Sequence, residues 1–93
     1  MRIEFDPAKD LHNRAKHGVS LALAERLDME SAILVRDDRQ DYGETRFNAY
    51  GLIDGQLFAL TFVVRGLAVR AISLRRARPK EIRRYERRES EKD

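Results

Sequence analysis

The chain has no cysteine and no tryptophan, and only two histidines and two prolines among its 93 residues. Without cysteine there is no disulfide, no zinc–thiolate site and no cysteine nucleophile, and a reducing cytosol is the compartment to expect. The histidines, His12 and His17, are too few for a convincing metal site, and no acidic pair has helical ligand spacing with them. P-loop, G-x-G-x-x-G and H-E-x-x-H motifs are missing, and no serine sits in a nucleophile elbow. The opening MRIEFDPAKD lacks an apolar secretory segment, and no run approaches the ~20 apolar residues of a membrane span. The expectation is a soluble cytoplasmic protein with no cofactor, no metal and no membrane partner. No internal repeat, low-complexity segment or linker divides the chain, so residues 1–93 read as one small domain.

What the chain does have is charge, unevenly spread. Residues 1–64 hold eight Lys/Arg against eleven Asp/Glu, and residues 65–93 hold eleven against five, so −3 and +6 give the net +3. Fifteen of the nineteen cations are arginines, the side chain that meets phosphate oxygens at two points and stacks on bases. An arginine-weighted C-terminal third fits a nucleic-acid partner or an acidic protein, and also a merely solvated face. Chemistry without metal or cysteine must use Arg, Lys, His, Glu and Tyr. That set suits RNA cleavage, in which the substrate's own 2′-hydroxyl attacks and the protein supplies charge stabilisation and proton transfer. DNA lacks that hydroxyl.

Apolar content of 42% supports a modest core, and Gln56–Ala77 is its longest apolar stretch. β-branched and aromatic residues dominate it without helical spacing, so it reads as two strands. Asp54-Gly55 and Arg65-Gly66 are turn signals, which makes an antiparallel meander of Thr45–Ile53, Gln56–Val64 and Leu67–Arg75. Counting outward from two-residue turns pairs Ile53 with Gln56 and Val64 with Leu67. One face then carries Phe47, Ala49, Ile53, Phe58, Leu60, Phe62, Val64, Leu67, Val69 and Ala71, and must be buried. The other places Asn48, Thr61 and Arg70 in one cross-strand row, with Arg46 a pair further along. It is either an ordinary solvated sheet face or a polar face with arginines aimed at a ligand. A bulge or a one-residue slip would exchange the two faces.

Around the meander, Arg2–Asp6 alternates as a short strand. Asp6 caps a helix Pro7–His17 that Gly18 ends, with a thin apolar stripe of Ala8, Leu11 and Ala15 and with Lys9, Asn13 and Lys16/His17 along one polar side. Ser20 opens a second helix whose apolar side is Leu21, Leu23, Ala24 and Leu27. Ser31–Arg36 is a further strand, Asp37–Glu44 an acidic loop, and Pro79 to about Ser90 a basic helix with only Ile82 and Tyr85 as apolar side. Like-charged pairs Arg83/Arg87 and Arg84/Arg88 would be steadied by a bound polyanion or an acidic partner.

Three blocks, FDPAKDLHNRAKHGVS, ETRFNAYG and VRAISLRRARPKEIRRYER, resemble the BrnT toxins of bacterial type II toxin–antitoxin pairs. The shared pattern is met by Phe5, Asp6, Lys9, Asn13, Lys16-His17-Gly18-Val19, Glu44, Arg46-Phe47, Ala49, Gly51, Arg70, Ile72-Ser73, Arg75, Ala77, Glu81 and Tyr85. A tryptophan common near Phe5 in such toxins is absent here. The resemblance implies an α+β, RelE-like fold: a twisted antiparallel sheet with two N-terminal helices on one face, an open concave face for RNA and a basic C-terminal helix. It also implies a ribonuclease that blocks translation, and a cognate BrnA-like antitoxin through which alone the complex reaches operator DNA. On that footing Arg46, Arg70 and Arg75 are expected at the scissile phosphate, with His17, Glu44 and Tyr85 as candidates for proton transfer. Structural roles stay open for those three: His17 as a helix-end hydrogen bonder, Glu44 as partner of Arg46, and Tyr85 as anchor of the last helix. Lys9, Lys16, Arg65, Arg76, Arg83 and Arg84 are assigned to the RNA backbone. A non-catalytic nucleic-acid or partner-binding module, and a gyrase-poisoning toxin on the same scaffold, are the alternatives.

Overall fold

The computed structural model describes residues 2–39, 41 and 43–91; Gln40 and Tyr42 of the expected acidic loop lie outside them. In chain order the elements are β1 (Ile3–Glu4), α1 (Pro7–His17), a 3₁₀ helix (Leu21–Arg26), β2 (Ile33–Asp37), β3 (Arg46–Ile53), β4 (Gln56–Arg65), β5 (Ala68–Arg76) and α2 (Pro79–Ser90). The strands form one sheet in the order β1-β5-β4-β3-β2. The class is α+β, but the sheet is mixed, because β1 runs parallel to β5 while all other pairs are antiparallel. Strands joined by tight turns must reverse direction; β1 has no such turn to β5 and meets it only through the tertiary fold.

The first hairpin follows its turn chemistry. Asp54 and Gly55 both have positive φ (51° and 81°), and Ile53 pairs with Gln56. The second hairpin slips by one residue from the expected turn. Gly66 (φ 60°) takes the first central position, Leu67 the second, and Arg65 pairs with Ala68. A glycine at the first position, with positive φ there alone, is what a type II′ turn needs. Leu67, expected in the core, therefore sits 99% exposed at the hairpin tip, and Val64 is 56% exposed.

A bulge then resets the strand. Phe62 faces Ala71 while Thr61 faces Ser73, so Ile72 is an extra residue in β5. Strict alternation from Arg70 would send Leu74 to the polar face and Arg75 to the core. The bulge reverses this: Leu74 is fully buried and Arg75 emerges on the other side. The slipped turn sets Arg70 opposite Val63, and the bulge then brings Ser73, not Arg70, beside Thr61 and Asn48, which corrects the expected row.

The core face carries Ala49, Ile53, Phe58, Leu60, Phe62, Ala71 and Leu74, covered by Val19 and by Leu21, Ala24 and Leu27 around the 3₁₀ helix. Where a regular second helix was expected, the short segment between Ser20 and Leu27 winds as 3₁₀. Gly51 lets it approach: a Cβ there would lie 2.7 Å from Leu27 Cδ2 and 3.1 Å from the Asp28 carbonyl.

The structure of α1 differs from its expected docking. Its caps are as read, with Asp6 accepting from the Ala8 N–H (2.8 Å) and Gly18 left-handed (φ 75°). Its apolar stripe is not used, however; Ala8, Leu11 and Ala15 are exposed. The buried residue is Asn13, from the side of the helix that reads as polar in the sequence. Its amide nitrogen donates to the carbonyls of Leu74 (2.8 Å) and Val19 (2.9 Å), and its oxygen accepts from the Leu74 N–H (3.0 Å). Asp10 adds a second polar tie, accepting from Ser20 Oγ and the Leu21 N–H.

The second face is not fully open. α2 crosses one end of it, where Tyr85 is buried and, with Arg84, borders a small cavity beside Ile33, Val35 and Tyr50. Among the described residues no helix is long and apolar enough to cross a membrane. Replacing Asn13 tests the polar docking of α1. Asn13→Ala strips hydrogen bonds from three backbone groups in a dry setting, at a cost of about 3 kcal/mol. For a domain this small, the melting temperature measured by circular dichroism should then fall by more than ~10 °C.

Candidate functional site

The uncovered part of the second face is a cleft with cations from every side. β3 supplies Arg46, Asn48 and Tyr50; β4 supplies Thr61; β5 supplies Ile72, Ser73 and Arg75. Lys16 and His17 reach it from the end of α1, Arg78 and Glu81 from the start of α2, and Arg36 to Arg39 from the end of β2. Six of these are Lys or Arg and three are Asp or Glu, so the cleft is net positive. It continues through Lys16, His17, Ile72 and Ser73 into a recess along α1 that includes Lys9 and His12. A neighbouring recess at the loop after β2 shares Arg36, Asp37 and Asp38 with the cleft and adds Asp41 and Glu44, so its excess of carboxylates disfavours a phosphate ligand. Among the described residues no group of three or more His, Asp and Glu is arranged to hold a metal ion.

Arg75 is the best-defined group of the cleft. Its two terminal nitrogens donate to Glu81 Oε1 (2.8 Å) and Oε2 (2.9 Å), with both side chains about four-fifths buried. The hydrogen bonds from Arg75 pull the Glu81 carboxyl down to about 2, against its burial, with a backbone bond from the Arg78 N–H assisting. The same hydrogen bonds raise the Arg75 pKa. Glu81 thus fixes the guanidinium and caps α2 at once. Burial lowers the His17 pKa below 6.5, and the charges of Lys16, Arg75, His12 and Arg78 push it the same way. At neutral pH its imidazole is therefore unprotonated and able to take up a proton.

Of the expected residues, Arg46, Arg75, His17 and Lys16 come together here, and Lys9 lines the adjoining recess. The others do not. Arg70, only 26% exposed, is 3.7 Å from Glu4 on β1 and is not among the groups lining the cleft. Glu44 does not partner Arg46 but accepts from Arg65 (3.2 Å). Tyr85 is buried, with its hydroxyl 3.4 Å from the Ser31 carbonyl. Arg76 lies over the Phe58 ring (5.7 Å), towards the core side. Arg83 and Arg84 are exposed on α2. Arg39, Arg78 and Glu81 were not foreseen as site residues. For Glu81 there was a signal: it stands three residues after Arg78, with Pro79 between, the spacing of a capping box.

Residues 5–81 match the family described as "Ribonuclease toxin, BrnT, of type II toxin-antitoxin system". The chain belongs to the BrnT family. Such a toxin acts on RNA and is paired with an antitoxin. Comparison with curated proteins gives no match. In this BrnT chain the matched span holds His17, Arg46, Arg75 and Glu81, and stops before Arg83, Arg84 and Tyr85.

Glu81 and His17 have separate pH windows. The Glu81 carboxyl falls from 4.5 to about 2 on folding, so its pair with Arg75 stabilises fully above pH 4.5 and is lost as pH drops towards 2. Denaturant titrations between pH 5 and pH 2 should show a steeper loss for the wild type than for Glu81→Gln. The gap is up to ~3 kcal/mol by linkage, and less after solvent screening. His17, with a lowered pKa, stabilises above about pH 6.5 and ceases to do so as acidification charges it against Lys16 and Arg75. In an NMR titration its midpoint should lie below 6.5 and move up in Lys16→Ala.

Proposed function

We propose that this chain is a metal-independent endoribonuclease that cleaves RNA through the substrate's 2′-hydroxyl, arrests translation and is neutralised by a cognate BrnA-like antitoxin. The observation that carries it is that His17 and the fixed guanidinium of Arg75 line one cationic cleft, whose burial and charge lower the His17 pKa. In this reading His17 takes the proton from the 2′-hydroxyl, whose oxygen attacks phosphorus. The 5′-oxygen leaves, taking a proton from solvent in the open cleft, and a 2′,3′-cyclic phosphate remains. Arg75 and Arg46 face the charge that builds on the non-bridging oxygens, where a fixed donor is worth a few kcal/mol of barrier. Arg70 sits outside the cleft and is read as support for β1 rather than as a phosphate ligand. Lys9 and Lys16 carry the RNA backbone along the recess beside α1. The RelE-like arrangement, action in the cytoplasm and operator binding by the antitoxin complex belong to the same reading.

Arg75→Ala is a poor test, because it leaves the Glu81 carboxylate without its partner in a mostly buried place and loosens α2. Arg75→Lys keeps the charge but loses the two-point geometry. Purified protein should cleave single-stranded RNA equally in EDTA and in magnesium. Arg75→Lys and His17→Ala should each lose at least ~100-fold in rate at an unchanged melting temperature. Activity abolished by chelation and restored by metal would sink the metal-free mechanism. Full activity in both variants would remove these residues from it. Expressed without antitoxin, the chain should depress translation before DNA synthesis; arrest that begins with DNA damage would favour a gyrase poison.

A further inference from the structure

The end of β2 carries an ionic arrangement that the reaction above does not use. Asp37 is the last residue of that strand, paired across to Arg46, and its side chain is only 1% exposed. A carboxylate buried to that degree is costly unless it is paired and hydrogen-bonded. Arg39, two residues on, meets it with three donors: Nε to Oδ1 (2.9 Å), a terminal nitrogen to Oδ2 (2.9 Å) and the backbone N–H to Oδ1 (3.2 Å). Yet the Arg39 side chain is 76% exposed. With the guanidinium end in solvent the attraction is screened, so the pair mainly offsets the cost of burying Asp37. What the arrangement does achieve is orientation: a fixed, buried acid and a two-point bond hold one solvent-facing guanidinium in a single place on the rim of the cleft.

We propose that Arg39, held by the buried Asp37, is a second anchor for the RNA backbone, gripping a phosphate other than the one that is cleaved. The inference rests on the ribonuclease reading. Its geometry follows from the sheet. Arg75 stands on β5 and Arg39 just beyond β2, so their backbones are three strand spacings, or about 14 Å, apart. Their side chains reach into the same cleft, where the two charges act on each other, an arrangement that suits neighbouring phosphates of one strand. The cleft between them is floored by uncharged polar groups, Asn48, Thr61 and Ser73, in one row across the sheet. Thr61 Oγ1 donates to Asn48 Oδ1 (2.7 Å), which holds that floor rigid. Arg39 and Arg75 are built alike, each an arginine set by a bidentate carboxylate from its own stretch of chain. Only Arg75 has His17 beside it, so chemistry belongs to one end of the cleft and binding to the other.

A role in binding and not in chemistry gives a distinct kinetic signature. With a single-stranded RNA oligonucleotide, Arg39→Ala should raise KM about 10-fold and leave kcat within about twofold. Affinity is read by fluorescence anisotropy on a single-stranded DNA of the same sequence, which cannot be cleaved. Loss of one phosphate contact should lower the slope of log K against log salt by about 0.7. Arg39→Lys, which keeps the charge, should restore the slope. Because Arg39→Ala alone strips donors from a buried acid, the double variant Asp37→Asn with Arg39→Ala is measured beside it. It should show the same binding defect at the wild-type melting temperature. An unchanged KM and salt slope in both variants, or a fall confined to kcat, would overturn the assignment. A wild-type protein that neither binds nor cuts RNA would instead overturn the ribonuclease reading itself.

Discussion

The extra residue at Ile72 is the constraint on which both faces of the sheet depend. Side chains alternate along a strand, so one inserted residue exchanges the faces of everything that follows it. Before the bulge, Ala71 packs in the core; after it, Leu74 does, and Arg75 turns to the cleft. The same residue supplies the attachment of α1, because the backbone of Leu74 holds the Asn13 side chain from both its N–H and its carbonyl. That places the end of α1, with Lys16 and His17, beside Arg75. A single irregularity in β5 thus aligns the core, the first helix and the cleft.

Polar contacts do much of the positioning that apolar contacts do in larger domains. The 3₁₀ helix is held by burial of Leu21, Ala24 and Leu27, but α1 leaves Leu11 63% exposed and docks through Asn13 and Asp10. α2 is fastened by Tyr85 and by the Glu81–Arg75 pair. Hydrogen bonds are directional, so they set the placement of α1 and the orientation of the Arg75 guanidinium, whereas an apolar stripe tolerates sliding. The cost is that site and stability share residues. Removing Arg75 acts on both, and Glu81 is at once a helix cap and the support of a guanidinium.

Charge follows a similar economy. The chain carries only +3 overall, yet Lys16, Arg39, Arg46, Arg75 and Arg78 converge on one cleft, while Asp41 and Glu44 line the neighbouring recess. Two of the three carboxylates inside the cleft, Asp37 and Glu81, each bind an arginine at two points, so they orient positive charge as well as offset it. The crowding also lowers the His17 pKa, which suits a base at neutral pH. Membership of the BrnT family says that RNA is the substrate; the arrangement of these charges is what that substrate would meet.

Features set by a few neighbouring residues were legible in the sequence. Asp6, Pro7 and Gly18 bound α1, Asp54-Gly55 closes the first hairpin in register, and Pro79 starts α2, because caps and turns are decided by the φ preferences and side-chain oxygens of adjacent residues. The buried run in β4 was equally plain from its composition. Features that join distant residues were not. The bulge arises where β5 must satisfy β4 on one side and α1 on the other, so no local signal announces Ile72. The second turn, at Gly66-Leu67, did carry a local signal, since a glycine suits the first position of a type II′ turn. Asn13 looked like one more polar position on a helix until Leu74, far along the chain, supplied its partners. Arg39 read as part of an acidic loop, and only the burial of Asp37 turns it towards the cleft. Capping and turn energies act within a handful of residues, whereas strand register and buried polar pairs are settled only when remote segments exclude water from between them.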